Sequence, residues 1–194
     1  MMLRTQIINM FIEKYGYKSF LEIGVNDGLN FRQINCKDKV GVDPAPAKMG
    51  ESVTTYKKTS DDFFFTNTRK FDVIFVDGLH HSDAVYRDII NSLEILNDGG
   101  VIICHDMSPI DELHQRVPRE SVIWNGDCWK AWVQLRQELD KDMFVINTDW
   151  GCGVIREGTQ TKLQLKEELN FDNLVINRKK WLNLIEVDEF VLNL

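Results

Sequence analysis

Short apolar runs alternate with amphipathic stretches between about residues 18 and 105. Five of these runs read as strands: Ser19–Gly24, Lys39–Asp43, Ser52–Tyr56, Phe71–Asp77 and Gly100–His105. The first, fourth and fifth are almost continuously apolar, which suits strands covered on both faces. Helical spacing lies between them. One helix opens near Asp27–Leu29, one lies around Asp61–Phe65, and a long one runs from about Ser82 to Leu96. Asn97-Asp98-Gly99-Gly100 reads as a glycine stop to that helix and a turn into the fifth strand. Regular strand–helix alternation predicts an α/β fold with a doubly wound, mostly parallel sheet and right-handed crossovers.

The flanks add detail to that picture. Leu3, Ile7, Ile8, Met10 and Phe11 repeat at helical spacing at the start of the chain. Met107–Gly126 carries Pro109, Pro118 and Gly126 and reads as a loop beyond the fifth strand, where such sheets bind ligands. A helix follows over about Cys128–Leu139. Two late strands, Met143–Thr148 and Gly153–Arg156, are joined by Asp149-Trp150-Gly151, which predicts an antiparallel hairpin. The tail looks helical around Leu163–Leu169 and again around Leu174–Ile185. Its apolar residues are expected to dock on the domain or on a second copy in a homodimer. We read residues 1–194 as one domain, with a core over about 18–156 and a helical tail over about 159–194.

Composition removes several classes of function. The chain has 194 residues, 43% of them hydrophobic and 27% charged, enough for a core without staples. A formal net charge of -7 argues against a nucleic-acid partner. No apolar run approaches the roughly 20 residues of a membrane span. The first helix is broken by Arg4, Glu13 and Lys14 and lacks the apolar region of a signal peptide, so a cytoplasmic location is expected. Cys36, Cys104, Cys128 and Cys152 are widely spread and read as free thiols, not as a zinc site or disulfide frame.

Two constellations carry chemistry. In Glu22-Ile23-Gly24-Val25-Asn26-Asp27-Gly28 an apolar strand delivers a glycine turn. About twenty residues on, a second strand delivers Asp43 before Pro44, a carboxylate placed to accept hydrogen bonds from a ribose. The pattern E-x-G-x-x-x-G departs from G-x-G-x-x-G. It points away from a pyrophosphate dinucleotide and towards S-adenosylmethionine, which has no phosphates to cradle. Glu22, Gly24, Asn26, Gly28 and Asp43 are therefore cofactor-binding candidates. Ser60-Asp61-Asp62 follows the third strand; Asp61 or Asp62 is placed to meet an adenine amino group, and Ser60 reads equally as a helix N-cap.

The second constellation is Asp77-Gly78-Leu79-His80-His81 at the end of the fourth strand, with His105-Asp106 ending the fifth. These strands should be neighbours. Asp77, Asp106 and His105 then become candidate ligands for a hard cation such as Mg²⁺. His80 becomes a candidate base for a substrate hydroxyl, and Asp77 a second catalytic and cofactor-binding residue. His81 reads as the start of a helix, and Asp88 as a surface or packing residue.

These motifs resemble the class I S-adenosylmethionine-dependent methyltransferases. More narrowly, the chain is similar to the small family related to macrolide-sugar and catechol-type O-methyltransferases. The resemblance spans roughly residues 18 to 156 and rests on Leu21-Glu22-Ile23-Gly24 with Gly28, Val42-Asp43, Phe71–His80 and His105-Asp106. It implies a seven-stranded sheet with a reversed final hairpin. It also implies Asp77 and Asp106 as Mg²⁺ ligands and His80 as the base, acting on a small-molecule or glycan acceptor. The chain departs from the sugar enzymes at His105, where they carry a second carboxylate, and from the catechol type at Met107, where an asparagine is expected.

Overall fold

The computed structural model describes residues 1–48 and 54–194. Its helices are α1 (Arg4–Tyr15), α2 (Leu29–Gln33), α3 (Ser60–Thr66), α4 (Ser82–Glu94), α5 (Cys128–Glu138), α6 (Phe171–Leu182) and α7 (Val187–Asn193). Its strands are β1 (Ser19–Ile23), β2 (Asp38–Asp43), β3 (Thr54–Lys57), β4 (Phe71–Val76), β5 (Leu96–Cys104), β6 (Asp142–Ile146), β7 (Cys152–Arg156) and β8 (Leu184–Ile185). They form one sheet in the order β3-β2-β1-β4-β5-β7-β6-β8. Among the described residues only β7 runs against its neighbours. This is the expected doubly wound, mostly parallel α/β sheet with one reversed strand. The two-residue β8, paired with β6, adds an eighth member.

Side chains along the central strands alternate between two apolar layers, as the strand repeat of two requires. Ile74 and Val76 pack with α4, α5 and α6 on one face. Val73 and Phe75 pack with α1, α2 and α7 on the other. Both faces are covered, which is why β4 and β5 read as unbroken apolar runs. The tail belongs to the same core: Leu174, Trp181 and Leu182 are fully buried, and Trp181 stacks on Trp129.

Three local expectations are corrected. Asn97-Asp98-Gly99-Gly100 is no helix stop, because α4 ends at Glu94 and β5 already begins at Leu96. Asn97 donates to Asp72 Oδ1 at 2.7 Å, and the β4–β5 register shifts between Phe71 and Val73, so the glycines form a strand irregularity. Leu163–Leu169 is not helical. There Leu163 N–H donates to the Arg136 carbonyl, and the Leu163 side chain is buried as part of an extended strap. The N-cap of α3 is Thr59, not Ser60; Thr59 Oγ1 accepts from Asp62 N–H. Of the two readings of Asp88, packing is the one observed: it is buried, and burial pushes its carboxyl up to about 6, against a hydrogen bond from Ser60. Of the expected strand Ser52–Tyr56, Ser52 and Val53 lie outside the described residues.

Candidate functional site

The strand order reverses direction between β1 and β4, so the crossovers on either side leave a crevice at their carboxyl ends. A cavity of about 670 Å³ opens there, within the usual range for a small-ligand site. Its wall includes Gly24, Asn26, Asp43, Asp61, Asp77, His80, His105 and Asp106. Three other candidates lie elsewhere. Gly28 caps α2, and Asp62 is engaged by Thr59. Glu22 is buried behind the wall, where its Oε2 accepts from Asn30 Nδ2 at 2.9 Å.

Asp43 ends β2 beside this cavity. Its Oδ2 accepts from Asn26 N–H at 2.8 Å and its Oδ1 from Ala45 N–H at 2.7 Å. An ionised carboxylate has about four lone-pair sites, so each oxygen keeps capacity for a ligand hydroxyl. Ile23, Val42, Leu79 and Ala84 supply apolar wall nearby, with Asp61 among them. A ribose acceptor beside an apolar slot fits an adenosine-type ligand.

Burial pushes the Glu22 carboxyl up to about 8, although the Asn30 hydrogen bond opposes the shift. The folded state therefore holds a proton that the unfolded chain releases near pH 4.3. Stability from this group is intact below that pH and is lost as pH rises towards 8. Glu22→Gln should keep the acceptor for Asn30 and remove the penalty. We expect a gain on the order of 2–4 kcal/mol at pH 8 and little change at pH 4, read from urea midpoints. Equal effects at both pH values would show that Glu22 is not protonated in the fold.

The other end of the cavity is a compact charge cluster. β4 and β5 pair in parallel, which sets Asp77 beside His105 and Asp106. Asp106 adopts φ of 64°, a left-handed conformation that Asp tolerates better than most residues. Asn125 Nδ2 donates to its Oδ1. His105 Nδ1 lies 3.1 Å from Asp106 Oδ2 and 3.4 Å from Asp77 Oδ1, as a donor to both. Burial opposes charge on His105, but the Asp106 and Asp77 carboxylates outweigh it and hold its pKa well above the ordinary value. Burial likewise opposes charge on Asp77, yet His105 and His80 hold its carboxyl well below the usual range.

His80 stands over this pair. Its Nδ1 lies 3.1 Å from the Trp124 carbonyl oxygen, which can only accept, so Nδ1 carries a proton. In the neutral ring the free nitrogen is therefore Nε2. Nε2 lies 3.4 Å from both Asp77 Oδ1 and Asp106 Oδ2. Those charges outweigh burial and raise the His80 pKa. The Trp124 ring stacks on His80 with centroids 5.1 Å apart.

Asp77, His80 and Asp106 each offer one ligand atom, all within 4.8 Å of one another. Two carboxylates and an imidazole can take a divalent ion, and Mg²⁺ would keep waters at its remaining positions. His105 stands apart from that set. It hydrogen-bonds both carboxylates and groups with Asp149 and Cys152 instead. The cost of an ion here is specific: it would use His80 Nε2, the atom a base requires.

A family model described as a methyltransferase domain matches residues 21–107, from β1 to just past β5. That segment resembles a methyltransferase domain, and the match covers less than half of the chain. No curated protein sequence matches it. Solved structures resemble this chain in fold at low identity. The SAH-bound methyltransferase PaMTH1 of Podospora anserina is 18% identical, with 79% of this chain and 77% of that chain covered and a TM-score of 0.62. The O-methyltransferase TomG of Streptomyces achromogenes, involved in tomaymycin synthesis and solved with SAM, is 14% identical over 80% and 79% of the chains, with a TM-score of 0.57. The N-methyltransferase NodS of Bradyrhizobium japonicum is 16% identical over 79% and 93%, with a TM-score of 0.53.

Arg4, Trp124, Asn125 and Trp150 also line the cavity, although no sequence pattern marks them as site residues. Arg4 looked like a polar interruption of α1, and nothing local marks the others. Asp127 shows the same arrangement at one remove. It accepts from Ser82 N–H at 2.7 Å and so fastens the loop to the start of α4, next to His80 and His81. No helix among the described residues is long and apolar enough to cross a membrane.

Proposed function

We propose that this methyltransferase moves the methyl group of S-adenosylmethionine to a hydroxyl of a small acceptor, with His80 as the base. The observation that carries this is the placing of His80 Nε2. It faces the Asp77 and Asp106 carboxylates in the same cavity that holds Asp43. The cofactor is a sulfonium and supplies an already activated methyl group. The chain's part is to bind it, align the acceptor and take a proton. Asp43 holds the ribose, with Asp61 near the adenine. Trp124 keeps the His80 tautomer that leaves Nε2 free, and the two carboxylates stabilise the imidazolium that forms.

The acceptor we propose is a sugar or glycan unit. Trp124 and Trp150 put aromatic side chains on the wall, and the acidic cluster offers hydrogen-bond acceptors to hydroxyls. A Mg²⁺-assisted form of the reaction is the second reading, favoured by the closeness of Asp77, His80 and Asp106. In it Asp77 and Asp106 would hold the ion, which would acidify the acceptor hydroxyl.

Calorimetric titration of S-adenosylmethionine, with Mg²⁺ and with chelator, tests both readings. Micromolar binding that ignores the metal, with turnover surviving chelator, is the expected result. Loss of turnover in chelator would favour the metal-assisted form. No binding under either condition would remove the function. Asp43→Ala is expected to weaken S-adenosylmethionine by about ten- to a hundredfold, the value of hydrogen bonds to a charged acceptor. An unaltered dissociation constant would take Asp43 off the ribose.

A further inference from the structure

We propose that Arg4 and Asp77 form the subsite for the amino-acid end of the cofactor, with Arg4 taking its carboxylate and Asp77 its ammonium. The proposal rests on the S-adenosylmethionine reading above. Arg4 is the first residue of α1, and its side chain reaches the cavity wall. Its anchorage is built from three sides. Arg4 N–H donates to Asp149 Oδ2 at 2.8 Å, Thr148 Oγ1 donates to the Met2 carbonyl at 2.7 Å, and Thr5 Oγ1 donates to Asn30 Oδ1 at 2.7 Å. The start of α1 is thus fixed between the β6–β7 turn and α2.

Within the guanidinium, the protein uses one nitrogen. Nη1 donates to Asp149 Oδ1 and Oδ2 at 3.3 and 3.2 Å and lies 3.2 Å from His105 Nε2. Nε is buried with no hydrogen-bond partner, 3.8 Å from Asp77 Oδ2. Among the described residues Nη2 has no protein acceptor, while about a third of the side chain stays exposed. A guanidinium has five donors in a planar fork that matches a carboxylate. Leaving the buried Nε unmatched is costly, so it, with Nη2 beside it, is placed to meet an acceptor brought by a ligand.

The position suits one ligand group in particular. Asp43 ends β2 and Asp77 follows β4, with β1 between them. That is two strand spacings, about 10 Å. A ligand with its ribose on Asp43 and its chain crossing Gly24 brings its far end to Asp77 and Arg4. The far end of S-adenosylmethionine is a zwitterion. A cation and a carboxylate held 3.8 Å apart complement it charge for charge. The other arginine on the wall, Arg87, is engaged by Asp61 and Asp83.

The test compares S-adenosylmethionine with its decarboxylated analogue by calorimetry, in the wild type, Arg4→Gln and Arg4→Lys. The wild type should prefer the intact cofactor by about ten- to a hundredfold. In Arg4→Gln that preference should fall to about twofold, with affinity for the analogue unchanged. Arg4→Lys keeps the charge without the fork and should fall between. Equal weakening of both ligands in either variant would make Arg4 a purely structural tie to Asp149 and overturn the proposal. So would a wild type that binds the two ligands alike. A wild type that binds neither would remove the cofactor reading itself.

Discussion

Replacing His80 with alanine is expected to lower methyl transfer by about a hundred- to a thousandfold while leaving S-adenosylmethionine affinity within about twofold. The asymmetry follows from position. His80 lies at the β4–β5 end of the cavity, with Nε2 between Asp77 and Asp106, whereas the ribose acceptor lies at the end of β2. Loss of a base removes a proton-transfer interaction made in the transition state and little ground-state binding. A second signature separates base from metal ligand. Without a base, turnover in His80→Ala should climb with pH as the acceptor ionises unaided. A metal ligand's loss should instead be relieved by excess divalent ion. Turnover is read as S-adenosylhomocysteine release across a panel of hydroxylated acceptors. Unchanged turnover would remove His80 from the chemistry.

The parts of this site legible in the sequence are those fixed by strand ends. Asp43, Asp77 and Asp106 each stand where an apolar run stops, and a parallel sheet aligns such ends at one edge. The alternation of strands and helices gave the sheet for the same reason, since a strand buried on both faces must be apolar throughout. Arg4, Trp124, Asn125 and Trp150 follow no such rule. They enter from α1, from the long loop after β5 and from the β6–β7 turn, and their placing depends on contacts across the chain. Arg4 meets Asp149 across a separation of 145 residues, and His80 meets Trp124 across 44. The misread Asn97–Gly100 segment failed differently. Its turn chemistry is real, but pairing with β4 absorbs it as an irregularity within a strand.

Gly24→Ala should destabilise the fold by roughly 3 kcal/mol or more and should weaken cofactor binding in whatever folded protein remains. Gly24 stands in the glycine turn after β1 as a cofactor-binding candidate. The structure adds a nearer obstacle. A Cβ at Gly24 would lie 2.0 Å from the Asp77 carbonyl oxygen and 2.8 Å from Gly78 Cα. Both are backbone atoms, so no flexible side chain can give way. Relief would require the ends of β1 and β4 to part, stretching the 2.9 Å bond from Asp77 N–H to the Ile23 carbonyl. That movement would carry Asp77 away from His80 and from Arg4 together. Gly16 provides the control. Its φ of 65° is also left-handed, but a Cβ there meets nothing within 4 Å, so Gly16→Ala should cost only about 1–2 kcal/mol of backbone strain. Urea midpoints of the two variants read the difference, which is the contact with Asp77. If Gly24→Ala cost no more than Gly16→Ala, the β1–β4 junction would be looser than 2.0 Å allows. Asp77 would then owe its place to its charge partners alone.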